Sequence, residues 1–174
     1  MRSNQVLITA FLGTSAEVLV RNVKFDLQYK ILYLPNDKKK DSELLIAALE
    51  QEEYDTVISI GQCPNIKDKV HIEMRATKGD LSIDTAFECE KLKDAFEQAG
   101  LVAKLSYNAG TSFCNELYWN GLQYLKENKL DTKMVFLHVP FGKNISDAEV
   151  LKQKLYAGLK GILYSYSKLK GKAN

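Results

Sequence analysis

The sequence holds 174 residues, 45% of them hydrophobic and 26% charged, with a formal net charge of +2. That is enough chain for one domain with a sizeable core, in an ordinary globular composition. The net charge of +2 argues neither for nor against nucleic acid by itself; the lysine pattern gives the expectation of no nucleic-acid partner. Lys38, Lys39 and Lys40, and the tail lysines Lys168, Lys170 and Lys172, have no aromatics interleaved for stacking and read as solvated loop and terminus. Three cysteines, Cys63, Cys89 and Cys114, show no CxxC spacing, which argues against a disulfide scaffold or a zinc site. The opening MRSNQVLITAF has too short an apolar run for a signal peptide, and no stretch approaches a membrane span. The expectation is a cytoplasmic protein without membrane contact.

In chain order, residues 5–10 (QVLITA) form an apolar, β-rich run that predicts a buried strand, and Gly13-Thr14-Ser15 turns into a helix over 15–23. A second strand over 29–34 stops at Pro35, and a helix over 42–53 carries Leu45, Ala48 and Leu49 on one face. A third buried strand covers 56–60 and ends in Gly61. Residues 70–77 then alternate, with Val70, Ile72 and Met74 on one face and His71, Glu73 and Arg75 on the other, the pattern of a half-exposed strand. Residues 78–84 read as a loop. Thr85 to Glu88 reads as a capping box opening a helix to Ala99, with Leu92, Ala95, Phe96 and Ala99 as its stripe. A strand over 102–107, a helix from the Cys114 segment to about 128 and a strand over 134–139 follow. Ser146 to Glu149 is a second capping box. It starts a long helix whose Leu151, Leu155, Leu159, Ile162 and Tyr166 face the core.

Alternating strands and helices with continuous apolar strands predict the α/β class: one domain over 1–174, a three-layer α/β/α sandwich on a largely parallel, doubly wound sheet. Ligands in such sheets bind beyond the carboxyl ends of the strands. Residues 11–13, 61–63, 108–114 and 138–140 all follow a strand and are expected to converge there.

The stretch SYNAGTSFCNELYWNG, residues 106–121, reads as a strand end, a sharp turn and a helix start, with Thr111 and Ser112 as capping residues. Cys114 then falls in the first helical turn, where free amides and the positive end of the helix dipole favour a thiolate, the nucleophilic form. The same amides offer donors to an oxyanion. His138, late in the run MVFLHVP, is the candidate base, and His71 a lower-ranked rival. By spacing alone, Glu73 reads as a surface partner of Arg75. Cys63 precedes Pro64 at a strand end and is a rival thiol. Cys89, between Glu88 and Glu90, is expected to resist ionisation because of local negative charge. Tyr118 and Trp119 read as core.

NAGTSFCNELYWNGL, with FLHVP downstream and GQ…HIEMRA upstream, resembles pyroglutamyl peptidase I, a family of Cys-His-Glu peptidases that remove an N-terminal pyroglutamate. The resemblance spans most of the chain and is weakest at the N-terminus. It implies a triad of Cys114, His138 and Glu73. It also implies substrate contacts from Phe11, Gln62, Ser112 and Phe113, a peptide or small amide substrate, no metal or organic cofactor, and homo-oligomers. The implied chemistry is acyl transfer through a Cys114 thioester; the alternative is a retired family member that binds a small ligand or a peptide N-terminus. The family's N-terminal GFEPFGG…NP stands here as Thr9-Ala10-Phe11-Leu12-Gly13-Thr14-Ser15-Ala16. The second Phe, the double Gly and the Asn-Pro are gone, and Pro64-Asn65-Ile66-Lys67 replaces the GGR element. The resemblance therefore implies conserved nucleophilic machinery beside an altered pocket.

Overall fold

A computed structural model describes residues 5–171. Eight strands and five helices follow in the order β1 (Gln5–Phe11), α1 (Ser15–Val20), β2 (Gln28–Leu34), α2 (Lys38–Gln51), β3 (Thr56–Cys63), β4 (Lys69–Glu73), β5 (Arg75–Lys78), β6 (Leu81–Asp84), α3 (Cys89–Gln98), β7 (Val102–Ser106), α4 (Phe113–Glu127), β8 (Lys133–Pro140) and α5 (Ala148–Gly171). The chain has the expected α/β class, with helices on both faces of a six-stranded sheet.

Helix starts differ from expectation for chemical reasons. Asp37 caps α2 by accepting from the Lys39 and Lys40 backbone N–H groups at 3.1 and 3.0 Å, so the three lysines open a helix rather than fill a loop. Thr85 caps nothing in α3: its hydroxyl donates to the Met134 carbonyl and accepts from Phe87 N–H, and the helix begins only at Cys89. Asp147, not Ser146, accepts from Val150 N–H in the first turn of α5, because the Ser146 hydroxyl is bound to Asp68. The expected loop over 78–84 is the turn and second strand of a β5–β6 hairpin, turned at Gly79 (φ +58°) and bridged by Arg75 and Asp84 at 2.6 Å.

The sheet runs β2-β1-β3-β8-β4-β7. Strands β2, β1, β3 and β8 are parallel, but β4 pairs antiparallel with β8, setting His71 opposite His138 and Glu73 opposite Phe136. Strand β7 is parallel to β4 and so is also reversed. Strand β7 therefore does not finish at the edge shared by β1, β3 and β8, and the expected convergence at that edge is reached through the segment after β7 rather than by the end of β7 itself. Residues 107–112 carry the chain from Ser106, level with Glu73, to the start of α4.

Alternation along the strands splits the core in two. One cluster packs Ile58, Ile60, Ile72, Leu137 and Val139 against α1, α3 and α5 through Leu19, Leu92, Phe96, Leu155, Leu159 and Ile162. The other packs Leu7, Val57, Met134 and Phe136 against α2 and α4 through Leu45, Leu49, Leu117, Tyr118 and Leu122. Full burial of each such side chain contributes about 1.5–3 kcal/mol. Strand β4 is not half-exposed: Val70 and Ile72 are buried on one side, and Glu73 is buried on the other. Among the described residues no helix is long and apolar enough to cross a membrane.

Candidate active site

Strand β8 alternates Leu137 and Val139 into the first cluster, which turns Phe136 and His138 to the α2/α4 face. There His138 Nδ1 lies 2.8 Å from Glu73 Oε1, with the histidine 6% and the glutamate 1% exposed. A carboxylate accepts, so Nδ1 carries the proton and Nε2 keeps the lone pair a general base needs. Glu73 has nothing to do with Arg75, whose guanidinium is held by Asp84. The Tyr118 hydroxyl donates to the Glu73 backbone carbonyl at 2.8 Å and pins the end of β4 beneath α4.

Cys114 lies in the first turn of α4, as its local sequence demands. A Cβ built on Gly61 would stand 2.6 Å from Cys114 Sγ and 2.8 Å from Phe136 Cζ, so the thiol rests directly on a glycine of β3. Gly61 is the register partner of His138, and neighbouring strands lie about 4.8 Å apart. The thiol and the imidazole therefore occupy adjacent positions on one sheet face. Asn115 fixes the helix start by a two-way clamp: its Oδ1 accepts from Thr77 N–H at 2.9 Å and its Nδ2 donates to Thr77 O at 2.8 Å. Ser112 is the N-cap residue, but its exposed side chain makes no capping bond, contrary to the expected hydroxyl cap.

Electrostatics correct the expectation of a standing thiolate. Burial pushes the Cys114 thiol up to about 12, with Cys63, Glu73 and Asp41 adding in the same direction and the backbone N–H at the helix start opposing. Cys89 is also pushed up to about 12, but by burial rather than by its flanking glutamates. On α2, beside this site, Asp41 is fully buried. Burial raises it to about 6 against hydrogen bonds from Ser42, with Glu116 and Asp37 adding to the rise. Ser42 is itself held by Asn120 Nδ2 at 2.9 Å, and Lys38 bridges to Glu116 at 3.6 Å, so the first turns of α2 and α4 lie side by side.

The other expected site residues divide. Phe11 and Phe113 meet edge-on with centroids 6.4 Å apart, giving an aromatic wall next to Cys114. Gln62 is turned to α1, its Oε1 accepting from the backbone N–H and the hydroxyl of Ser15 at 3.1 and 3.2 Å. Sequence reasoning gave no role to Gly61, Asn115 or Asp41. The Cys-Asn pair was a visible signal for Asn115. Nothing in a lysine-flanked Asp41 signals full burial.

A family model described as pyroglutamyl peptidase matches residues 77–155, a span containing Cys114 and His138 and starting just after Glu73. Among curated proteins, the chain is 25% identical over 167 residues to a pyrrolidone-carboxylate peptidase from Brevibacillus brevis, covering 78% of each. It is 27% identical over 168 residues to one from Caldanaerobacter subterraneus, covering 79% of this chain and 82% of the other. The fold matches the pyrrolidone carboxyl peptidase of Fervidobacterium islandicum with a TM-score of 0.80 at 18% identity, over 91% of this chain and 97% of that one. It matches pyroglutamyl peptidase I of Bacillus amyloliquefaciens with a TM-score of 0.77 at 17% identity, over 90% and 93%.

Proposed function

We propose that this chain, a divergent member of the pyroglutamyl peptidase family, hydrolyses the amide bond after an N-terminal pyroglutamyl residue through an acyl-enzyme on Cys114. The observation that carries the reading is the buried His138–Glu73 pair at 2.8 Å on the sheet face where Cys114 rests on Gly61. Burial disfavours the thiolate, and in this reading the nucleophile is generated as it reacts. The thiol proton passes to His138 Nε2 while Sγ bonds to the substrate carbonyl, and Glu73 stabilises the imidazolium. The carbonyl electron pair moves to oxygen, and the free N–H groups of the first turn of α4 donate hydrogen bonds to the oxyanion. Collapse expels the amine, which takes its proton from His138, and water then releases the acyl group. Phe11 and Phe113 supply an apolar wall for a small ring. Peptides or small amides are the substrates in this reading, with the enzyme acting in the cytoplasm as a homo-oligomer.

The test is fluorophore release from a pyroglutamyl-aminomethylcoumarin substrate. Turnover in the parent and none in Cys114→Ser supports the reading; turnover that survives in Cys114→Ser overturns it. One observation favours a second reading, a retired enzyme that binds a small ligand: Gln62, expected to meet the substrate, is instead bound to Ser15. Iodoacetamide separates the two when the parent is compared with His138→Ala. Alkylation of Cys114 that slows at least about tenfold in the variant requires the imidazole partnership, and equally sluggish alkylation in both proteins with no turnover favours the binding module.

A further inference from the structure

The sequence contains two histidines, and both lie at Glu73. His71 and His138 are direct partners in the antiparallel β4–β8 pair, so their side chains leave the sheet on one face with Cβ atoms about 4.5–5.5 Å apart. Glu73, two residues further along β4, shares that face. Its Oε1 is taken by His138 Nδ1. Its Oε2 is buried without a hydrogen-bond partner among the described residues, and so is His71 Nε2. Two orphaned buried atoms on one patch, a carboxylate oxygen and an imidazole nitrogen, are complementary: one only accepts, and the other donates when it carries the proton. Burial of an unpartnered polar atom is costly, and joining these two removes both costs together.

We propose that His71 is a positioning residue of the site, donating Nε2–H to Glu73 Oε2, directly or through one water. The carboxylate is then gripped from both sides, with Oε1 kept on His138 Nδ1. The proposal rests on the reading of Glu73 and His138 as triad members. The groups facing His71 are Lys69 and Glu73 on its own strand, Lys104 on β7 and His138 on β8. Burial lowers its pKa first, Glu73 opposes, and the lysines and His138 lower it further. His71 is therefore neutral at neutral pH, with one N–H to give. In acid it gains a positive charge and a second N–H and competes with His138 for one carboxylate.

The test uses the full-length chain and its imidazole NMR signals, of which there are only two sets to assign. Glu73→Gln is expected to lower the His71 titration midpoint, since Glu73 alone among the facing groups favours the charged imidazole. His71→Leu is expected to shift or broaden the His138 Nδ1–H resonance, and His71→Gln, which restores an N–H at similar reach, to bring it back. Both readouts exist whether or not any pyroglutamyl substrate turns over, so they separate this proposal from the activity itself. With turnover, His71→Leu should lower kcat about tenfold and move the acid limb of kcat/KM, while KM and the Gln variant stay within about twofold of the parent. A His71 midpoint unmoved by Glu73→Gln, or Leu and Gln variants that both leave the His138 resonance as in the parent, overturns the proposal.

Discussion

The two faces of the sheet are built to different ends. The α1/α3/α5 face is a largely apolar layer running from Val6 to Leu163, in which Ser15 and Thr56 are also buried. The α2/α4 face has a comparable apolar frame, but it also buries Thr9, Asp41, Ser42, Ser59, Glu73, Asn115 and His138. Desolvating so many polar groups costs stability unless each finds a partner, and two of them, Asp41 and Glu73, keep an oxygen without one. A face optimised for folding alone would look like the first. The second gives up stability to hold a thiol, an imidazole and a carboxylate in register, the trade expected if the proposed triad is what this face is built for.

Substitutions on the two faces should therefore separate activity from stability. The largest effect is expected from Cys114→Ala, which removes the nucleophile: hydrolysis should fall by at least about 10³-fold while the melting temperature stays within a few degrees. On the apolar face, Leu155→Ala should cost about 2–5 kcal/mol of unfolding free energy in denaturant titration, with kcat unchanged wherever the protein is folded. Gly61→Ala breaks the division on purpose. Its Cβ would stand 2.6 Å from Cys114 Sγ and displace the nucleophile, so kcat should fall about 10²-fold for a stability loss of only about 1–3 kcal/mol. The smallest effect is expected at Asp41. Its folded pKa is raised to about 6 from 3.8, so the protonated form is favoured by folding. The stability this group lends is complete below 3.8 and is lost as pH rises through 6. Asp41→Asn should accordingly raise the melting temperature at pH 7 and flatten its fall between pH 4 and pH 7.

Much of this division was legible in the sequence. Continuous apolar strands and helical stripes such as Leu151, Leu155, Leu159 and Ile162 announced a sheet covered on both faces, and the Cys114 and His138 segments carried their own chemical signals. The reversal of β4 and β7 was not legible, because strand direction depends on connections through the β5–β6 hairpin and α3 that no local pattern records. That reversal is what brings Glu73 beside His138. By spacing alone Glu73 looked like a surface partner of Arg75, and only the family resemblance gave it a role. The upward push on the Cys114 thiol escaped for a related reason: a helix start favours a thiolate locally, but the burial that opposes it comes from packing remote in sequence.

The central claim is that Cys114, alone of three thiols, is the nucleophile driven by His138. Incubation with a pyroglutamyl chloromethyl ketone, followed by intact mass and peptide mapping, tests it directly. The expected result is a single adduct on Cys114 in the parent and a loss of at least about tenfold in labelling rate in His138→Ala. An adduct on Cys63, or labelling of Cys114 at the same rate in both proteins, would contradict it.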